Sequence, residues 1–212
     1  MFKKKLLSLS FVALFVMGAM QVHAQKFVLK INPLSLAVVT ANLQGEYAFN
    51  EKMSAQLGFF IGSVGLGLGA STAEGDVRYT WFGITPEFRY YAQNAKKDAP
   101  RGLYIAPFFR YRNVSFDYSA SAYDPDINSN ITATADITTS VIGGGVTLGY
   151  QFLFGDVFAL DMFLGPQFST ASLNTTVTCD NCDGDETLVG ETAGLSFSGI
   201  GIRGGLAIGI AF

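Results

Sequence analysis

Beyond residue 24 the chain contains no run of 18 uninterrupted apolar residues, the length a membrane-spanning helix needs, although 49% of its 212 residues are hydrophobic. That combination disfavours a helical membrane protein. Charged residues are scarce, at 15%, which is low for a soluble domain. Cysteine is limited to Cys179 and Cys182, too few for a structural zinc site. The single histidine is His23, and it lies in a segment unlike the rest. Lys3, Lys4 and Lys5 precede an apolar core from Leu6 to Met20, and Val22-His23-Ala24 supplies small residues where a signal peptidase reads. Residues 1–24 are therefore expected to be a signal peptide, leaving an exported domain of residues 25–212 without histidine. No cysteine adjoins the expected cleavage site, so a lipoprotein anchor is excluded. Removing three lysines leaves eleven basic residues against seventeen acidic ones, a net charge of −6 that argues against a nucleic-acid partner.

What the exported domain does contain is alternation. Eight segments carry a period of two, near Phe27–Leu36, Asn42–Phe49, Met53–Gly69, Val77–Ala92, Leu103–Tyr118, Thr138–Phe152, Val157–Ser172 and Leu195–Phe212. A strand places alternate side chains on opposite faces. Phe82, Ile84, Pro86, Phe88 and Tyr90 thus oppose Gly83, Thr85, Glu87 and Arg89. In the last segment Ile200, Ile202, Leu206, Ile208, Ile210 and Phe212 oppose a face of glycine and alanine interrupted by Arg203. In the third, apolar parity changes from Leu57, Phe59 and Ile61 to Val64, Leu66 and Leu68, which predicts a bulge near Gly62 or departure from the apolar layer.

The links between segments are unequal. Asn50-Glu51-Lys52, Gln93–Arg101 and a turn at Gly155-Asp156 lie on one side; long acidic links at Ser119–Ile137 and Leu173–Gly194 lie on the other. Short turns on one rim and long loops on the other, with an even strand number, predict an all-β fold: an eight-stranded antiparallel up-and-down transmembrane β-barrel in the outer membrane. Aromatics near segment ends read as two interfacial girdles, Phe27, Phe49, Tyr90, Tyr91, Phe152, Phe158 and Phe212 towards the turns, and Tyr79, Trp81, Phe116, Tyr118, Phe168 and Phe197 towards the loops. A lipocalin-like barrel would use the same alternation with its faces reversed. An eight-stranded interior is only just filled by side chains, so the small-plus-charged face fits inside and the bulky face does not.

The exported start, the alternating strands and the terminal Phe212 resemble the small eight-stranded outer-membrane barrels of Gram-negative bacteria, of the OmpX and OmpA-barrel type. More narrowly, KINPLSL at residues 30–36 and ITPEFRYYAQNAKKDAPRGLYIAPFFRYR at residues 84–112 resemble an outer-membrane barrel family largely without assigned function, with its E-x-R-Y-Y and G-x-Y-x-x-P patterns. The resemblance implies that Phe212 is part of the signal read by the barrel-assembly machinery, an expected partner beside outer-membrane lipid and lipopolysaccharide. Small barrels that act as lipid-modifying enzymes or proteases rely on histidine. A carboxylate could take that role, but no nucleophile and base pair can be proposed, so no catalytic residue and no cofactor is assigned.

Lys30, Glu46, Glu87, Arg89, Arg110, Arg112, Asp161 and Arg203 fall on the inward face and form the expected lumen polar network, because an unpaired charge there would cost several kcal/mol. For Cys179 and Cys182 a disulfide pinning a loop tip is the leading reading in an oxidising compartment, with free thiols and a redox pair as alternatives. Asp124, Asp126, Asn128 and Asn130, and Asp180, Asp183, Asp185 and Glu186, offer oxygen ligands but match no calcium-loop spacing, so they read as solvated loop charge and no metal is assigned. Glycine-rich Gly62–Ser71 alternates with leucine and is followed by no helix pattern, which favours a strand over a phosphate loop. The expected role is non-enzymatic, envelope-structural or in surface interaction, with a conduit or carrier for a small molecule, hydrophobic ones included, as the alternative.

Overall fold

The computed structural model describes residues 26–70, 73–92, 99–124, 129–180 and 195–212. The expected signal peptide, Cys182 and most of the acidic loop residues lie outside them, and of Cys179 only the backbone is described. Strands β1 (Phe27–Ile31), β2 (Thr40–Ala48), β3 (Met53–Ala70), β4 (Ala73–Tyr91), β5 (Gly102–Asp124), β6 (Ser129–Phe154), β7 (Phe158–Asp180) and β8 (Leu195–Ala211) pair in sequence order, and β1 pairs with β8 to close an antiparallel barrel. One short helix, α1 (Pro33–Leu36), joins β1 to β2.

Local chemistry sets the turns. Asn50 Oδ1 accepts from the Lys52 and Met53 amides at 2.9 and 3.0 Å, folding the β2–β3 connection tightly. Gly155 and Asp156 both have positive φ, 57° and 59°, the type I′ geometry that matches strand twist. At the closure, the Phe212 amide donates to the Phe27 carbonyl at 2.8 Å, and the two rings lie 6.5 Å apart.

The two faces separate as the alternation requires. Leu57, Phe59, Ile61, Phe82, Ile84, Phe88, Leu103, Ile105, Phe109, Leu148, Met162, Leu164, Ile208 and Ile210 are exposed, whereas Lys30, Glu46, Glu87, Arg89, Asp161 and Arg203 are buried. A barrel closed by β1–β8 pairing, apolar outside and charged inside, is the arrangement by which strands cross a bilayer. The chain is a transmembrane barrel of the outer-membrane kind. On β5 the apolar outer face runs from Leu103 to Tyr111 and gives way to Asn113, Ser115 and Asp117, marking the end of the lipid belt.

Several segment boundaries differ from the expectation. The first strand stops at Ile31 instead of Leu36, because Asn32 caps α1 and Pro33 takes its first turn. Ser119–Ile137 forms no loop along most of its length: β5 and β6 continue as a ribbon to the pair Asp124–Ser129. Leu173–Asp180 likewise extends β7. Above the belt both strand faces meet water, so Ser, Thr and Ala keep extended structure without apolar alternation. There is also no bulge at Gly62: the β3–β4 register is unbroken from Met53–Tyr90 to Ala70–Ala73. Val64 and Leu66 therefore stay on the inward face, beyond the lipid belt.

Candidate functional site: a lumen plug beneath a two-arginine vestibule

The turn-side half of the lumen is filled by one polar network to which every strand contributes. Lys30 of β1 donates from Nζ to Glu46 of β2 at 2.7 Å, to Asp161 of β7 at 2.8 Å and to Gln151 of β6 at 2.8 Å. On β4, Arg89 bonds Glu87 through Nε at 2.7 Å, and its Nη1 meets Asp161 at 2.8 Å and Glu46 at 3.2 Å. Ser54 of β3 and Tyr91 of β4 donate to Glu46 Oε1 at 2.6 and 2.5 Å, and Tyr104 of β5 donates to Asp161 Oδ1 at 2.7 Å. Arg203 of β8 completes the set by donating to Glu87 Oε2 at 2.6 Å. Three cations face three carboxylates. That balance lets six buried charges coexist where any one alone would be prohibitive.

Arg203 also lies between two rings, its guanidinium carbon 4.3 Å from the Phe108 centroid and 4.6 Å from that of Phe163. The small residues around it make this possible. A side chain at Gly205 would collide with the Phe163 ring, so glycine there leaves the space in which the ring covers the cation.

The structure thus brings six of the eight expected lumen residues together. Arg110 and Arg112 stand apart from that network. Arg110 Nε reaches Thr85 Oγ1 at 3.2 Å and its guanidinium lies 5.5 Å from the Phe60 centroid. Arg112 is exposed, and among the described residues neither arginine has a carboxylate partner. Asp76, Asp117 and Asp136 gather with Arg78 around a separate pocket. Tyr91, Tyr104 and Gln151 were not among the expected network residues. The first two stand in the E-x-R-Y-Y and G-x-Y-x-x-P patterns, in parity with Glu87, Arg89 and Ala106, a signal that could have found them.

Several girdle assignments need correction on the same ground. Tyr91 is 1% exposed and belongs to the plug, while Tyr90, its neighbour, faces outward. Tyr79, Trp81, Phe116 and Phe197 share parity with inward residues and line cavities at the mouth of the lumen. Phe168 does face outward.

Above the plug these cavities form a vestibule. One, of about 480 Å³, lies between Phe116, Val141 and Phe197; another, of about 420 Å³, lies between α1's Ser35, Trp81 and Arg110. Both share Tyr79, Arg112 and Val114. The wall beside them is incomplete. β1 pairs with β8 only from Val28–Ala211 to Ile31–Ile208, so β8 from Leu195 to Ala207 has β7 alone as partner. The segment α1 and residues 37–39 crosses this interval, in contact with both β2 and β8. Its Leu34, Leu36, Val38 and Val39 are exposed.

Residues 10–192 match the family described as protein of unknown function (DUF3575). The chain belongs to that family. No curated protein matches the sequence. Among solved structures it is similar to Acinetobacter baumannii CarO, at 12% identity and a TM-score of 0.44 over 89% of this chain and 98% of that one. It is similar also to a major outer membrane protein of Thermus thermophilus, at 14% identity and a TM-score of 0.40 over 90% and 100% of the two chains. The barrel assignment rests on the chain's own register and faces.

Proposed function

We propose that this barrel is a non-enzymatic protein of the outer membrane with an envelope-structural or surface-interaction role, its lumen closed to ions. The observation that carries this reading is the charge-balanced plug contributed by all eight strands. Each of its carboxylates is held by at least one cation at hydrogen-bonding distance, which suits packing better than proton transfer. Lipopolysaccharide against the outer face, the assembly machinery at Phe212 and an unidentified surface ligand at the loops are the proposed contacts. Conductance in planar bilayers tests the reading: purified wild-type barrel should give no steady open level, and a large, sustained conductance would replace it with a conduit.

A second reading is favoured by the incomplete wall. A plugged barrel whose upper half holds cavities behind a short non-strand segment is suited to carrying a small amphiphilic molecule at the outer surface. The plug forbids through-passage on this reading, so the molecule would be held, not conducted.

A further inference from the structure

We infer that the vestibule binds a single-chain anionic amphiphile, head towards Arg110 and Arg112, and that the segment from Asn32 to Val39 is the flap through which it enters from the membrane. The inference rests on the carrier reading and names its ligand class, site and route.

Charge complementarity identifies the head group. The plug consumes its own charges, three against three, and Arg110 and Arg112 remain above it with no carboxylate among the described residues. Two neighbouring guanidiniums repel each other, and a carboxylate or phosphate between them relieves that repulsion with charge-assisted hydrogen bonds. The lining identifies the body: Tyr79, Val114, Phe116, Val141 and Phe197 are apolar or aromatic and line the same cavity as Arg112. Volumes of about 420 and 480 Å³ sit within the roughly 300–1,000 Å³ of small-molecule sites. They suit one acyl chain better than a multi-chain lipid.

The route follows from the wall. β8 residues 200–207, which have no strand partner on the β1 side, include Ile200 and Ile202, 86% and 77% exposed on the lipid face, so the interval opens at membrane depth. Non-strand backbone at that depth is tolerated where it lines a cavity, and Ser35 and Val38 of the flap line the one that contains Arg110. The flap is lightly fastened. Ser35 Oγ lies 2.7 Å from the Asn32 carbonyl and 2.8 Å from that of Thr40, its one proton shared between them, and the Asn32 amide reaches the Asn42 carbonyl at 3.4 Å. Val39, at its end, is held at φ 53°, a left-handed conformation that a β-branched residue adopts only under constraint. Most of its other hydrogen bonds are internal, such as those the Leu34 amide donates to Asn32 Oδ1 and the Val39 amide to the Leu36 carbonyl, so a segment strained at one end can move as one body.

Trp81, the chain's only tryptophan, reports directly, because it lines this cavity and donates from Nε1 to Thr40 Oγ1 at 3.0 Å beside the flap. The full-length exported chain, in nanodiscs of zwitterionic lipid, is titrated with hexadecanoate and with hexadecanol while Trp81 emission is followed. Hexadecanoate should give a saturable change with affinity at least about tenfold above hexadecanol, the scale of one charge-assisted hydrogen bond. Arg112→Gln and Arg110→Gln should each remove most of that preference while heat-modifiable migration shows the barrel still folded. Ser35→Ala, by releasing the flap, should speed association several-fold in stopped flow. Equal affinities for the two probes would overturn the anionic site while leaving the carrier reading. Absence of any saturable change with either probe would remove both. An association rate unchanged by Ser35→Ala would overturn the lateral route.

Discussion

Glu46 accepts from Lys30, Arg89, Ser54 and Tyr91 at once, whereas Arg203 gives one ion pair to Glu87, a carboxylate that Arg89 also holds. The two positions should therefore respond unequally to truncation. Glu46→Ala leaves two cations sharing Asp161 and is expected to destabilise by about 3–5 kcal/mol, the cost of breaking a buried pair. Arg203→Ala leaves Glu87 with its other partner and should cost about 1–3 kcal/mol. Urea unfolding of the refolded barrel in detergent micelles measures both, and an Arg203→Ala loss larger than that of Glu46→Ala would contradict the geometry. Much of this site was legible in sequence because strand parity carries burial: Lys30, Glu46, Arg89 and Asp161 were all readable as inward. Tyr91 was not, because an aromatic at a strand end suits a girdle equally well, and only its parity with Glu87 distinguishes the two. Which carboxylate meets which cation was also hidden, since barrel stagger is a property of pairing and leaves no mark in any single strand.

The β1–β8 seam joins over four register pairs, from Val28–Ala211 to Ile31–Ile208, and Phe212 extends it through its bond to Phe27. So short a junction makes each contact count. Deleting Phe212 should lower the heat-modifiable fraction recovered from outer membranes and, because a closure bond is lost, also the refolding yield of purified protein where no assembly machinery is present. A defect confined to cells would instead assign Phe212 to recognition alone. Amide exchange should be uneven along β8: Ile208 and Ile210, near the seam, protected, and residues 200–206, without a neighbour on one side, exchanging faster by an order of magnitude or more. Equal protection along β8 would mean that the interval beside it is sealed in solution. Element lengths were the least legible feature. The period-two signal exists only where one face meets lipid and the other the lumen, so it vanished where β5, β6 and β7 rise into water, and Asn32-Pro33 ended β1 inside a stretch whose alternation continued.

The lipid belt on β5 spans nine residues, from Leu103 to Tyr111, consistent with an apolar band of about 25 Å. The reconstituted barrel should accordingly unfold at its highest urea concentration in thin bilayers and lose stability as acyl chains lengthen, at a fraction of a kcal/mol per ångström of mismatch. A monotonic rise with thickness would place the belt boundary too low. The plug also has a consequence for how the whole chain reaches its native state. Lys30 and Asp161 are 131 residues apart, Arg203 and Glu87 116, so ion pairs linking β1 to β7 and β8 to β4 can form only when the first and last strands have met. An unclosed sheet in a bilayer would leave Arg203 without Glu87 and Lys30 with Glu46 alone, next to hydrocarbon, at a cost of several kcal/mol for the unpaired charge. Partial assemblies are thereby penalised and the complete cylinder alone is rewarded: the charges at its centre act as a proofreading step on closure, making insertion all-or-none.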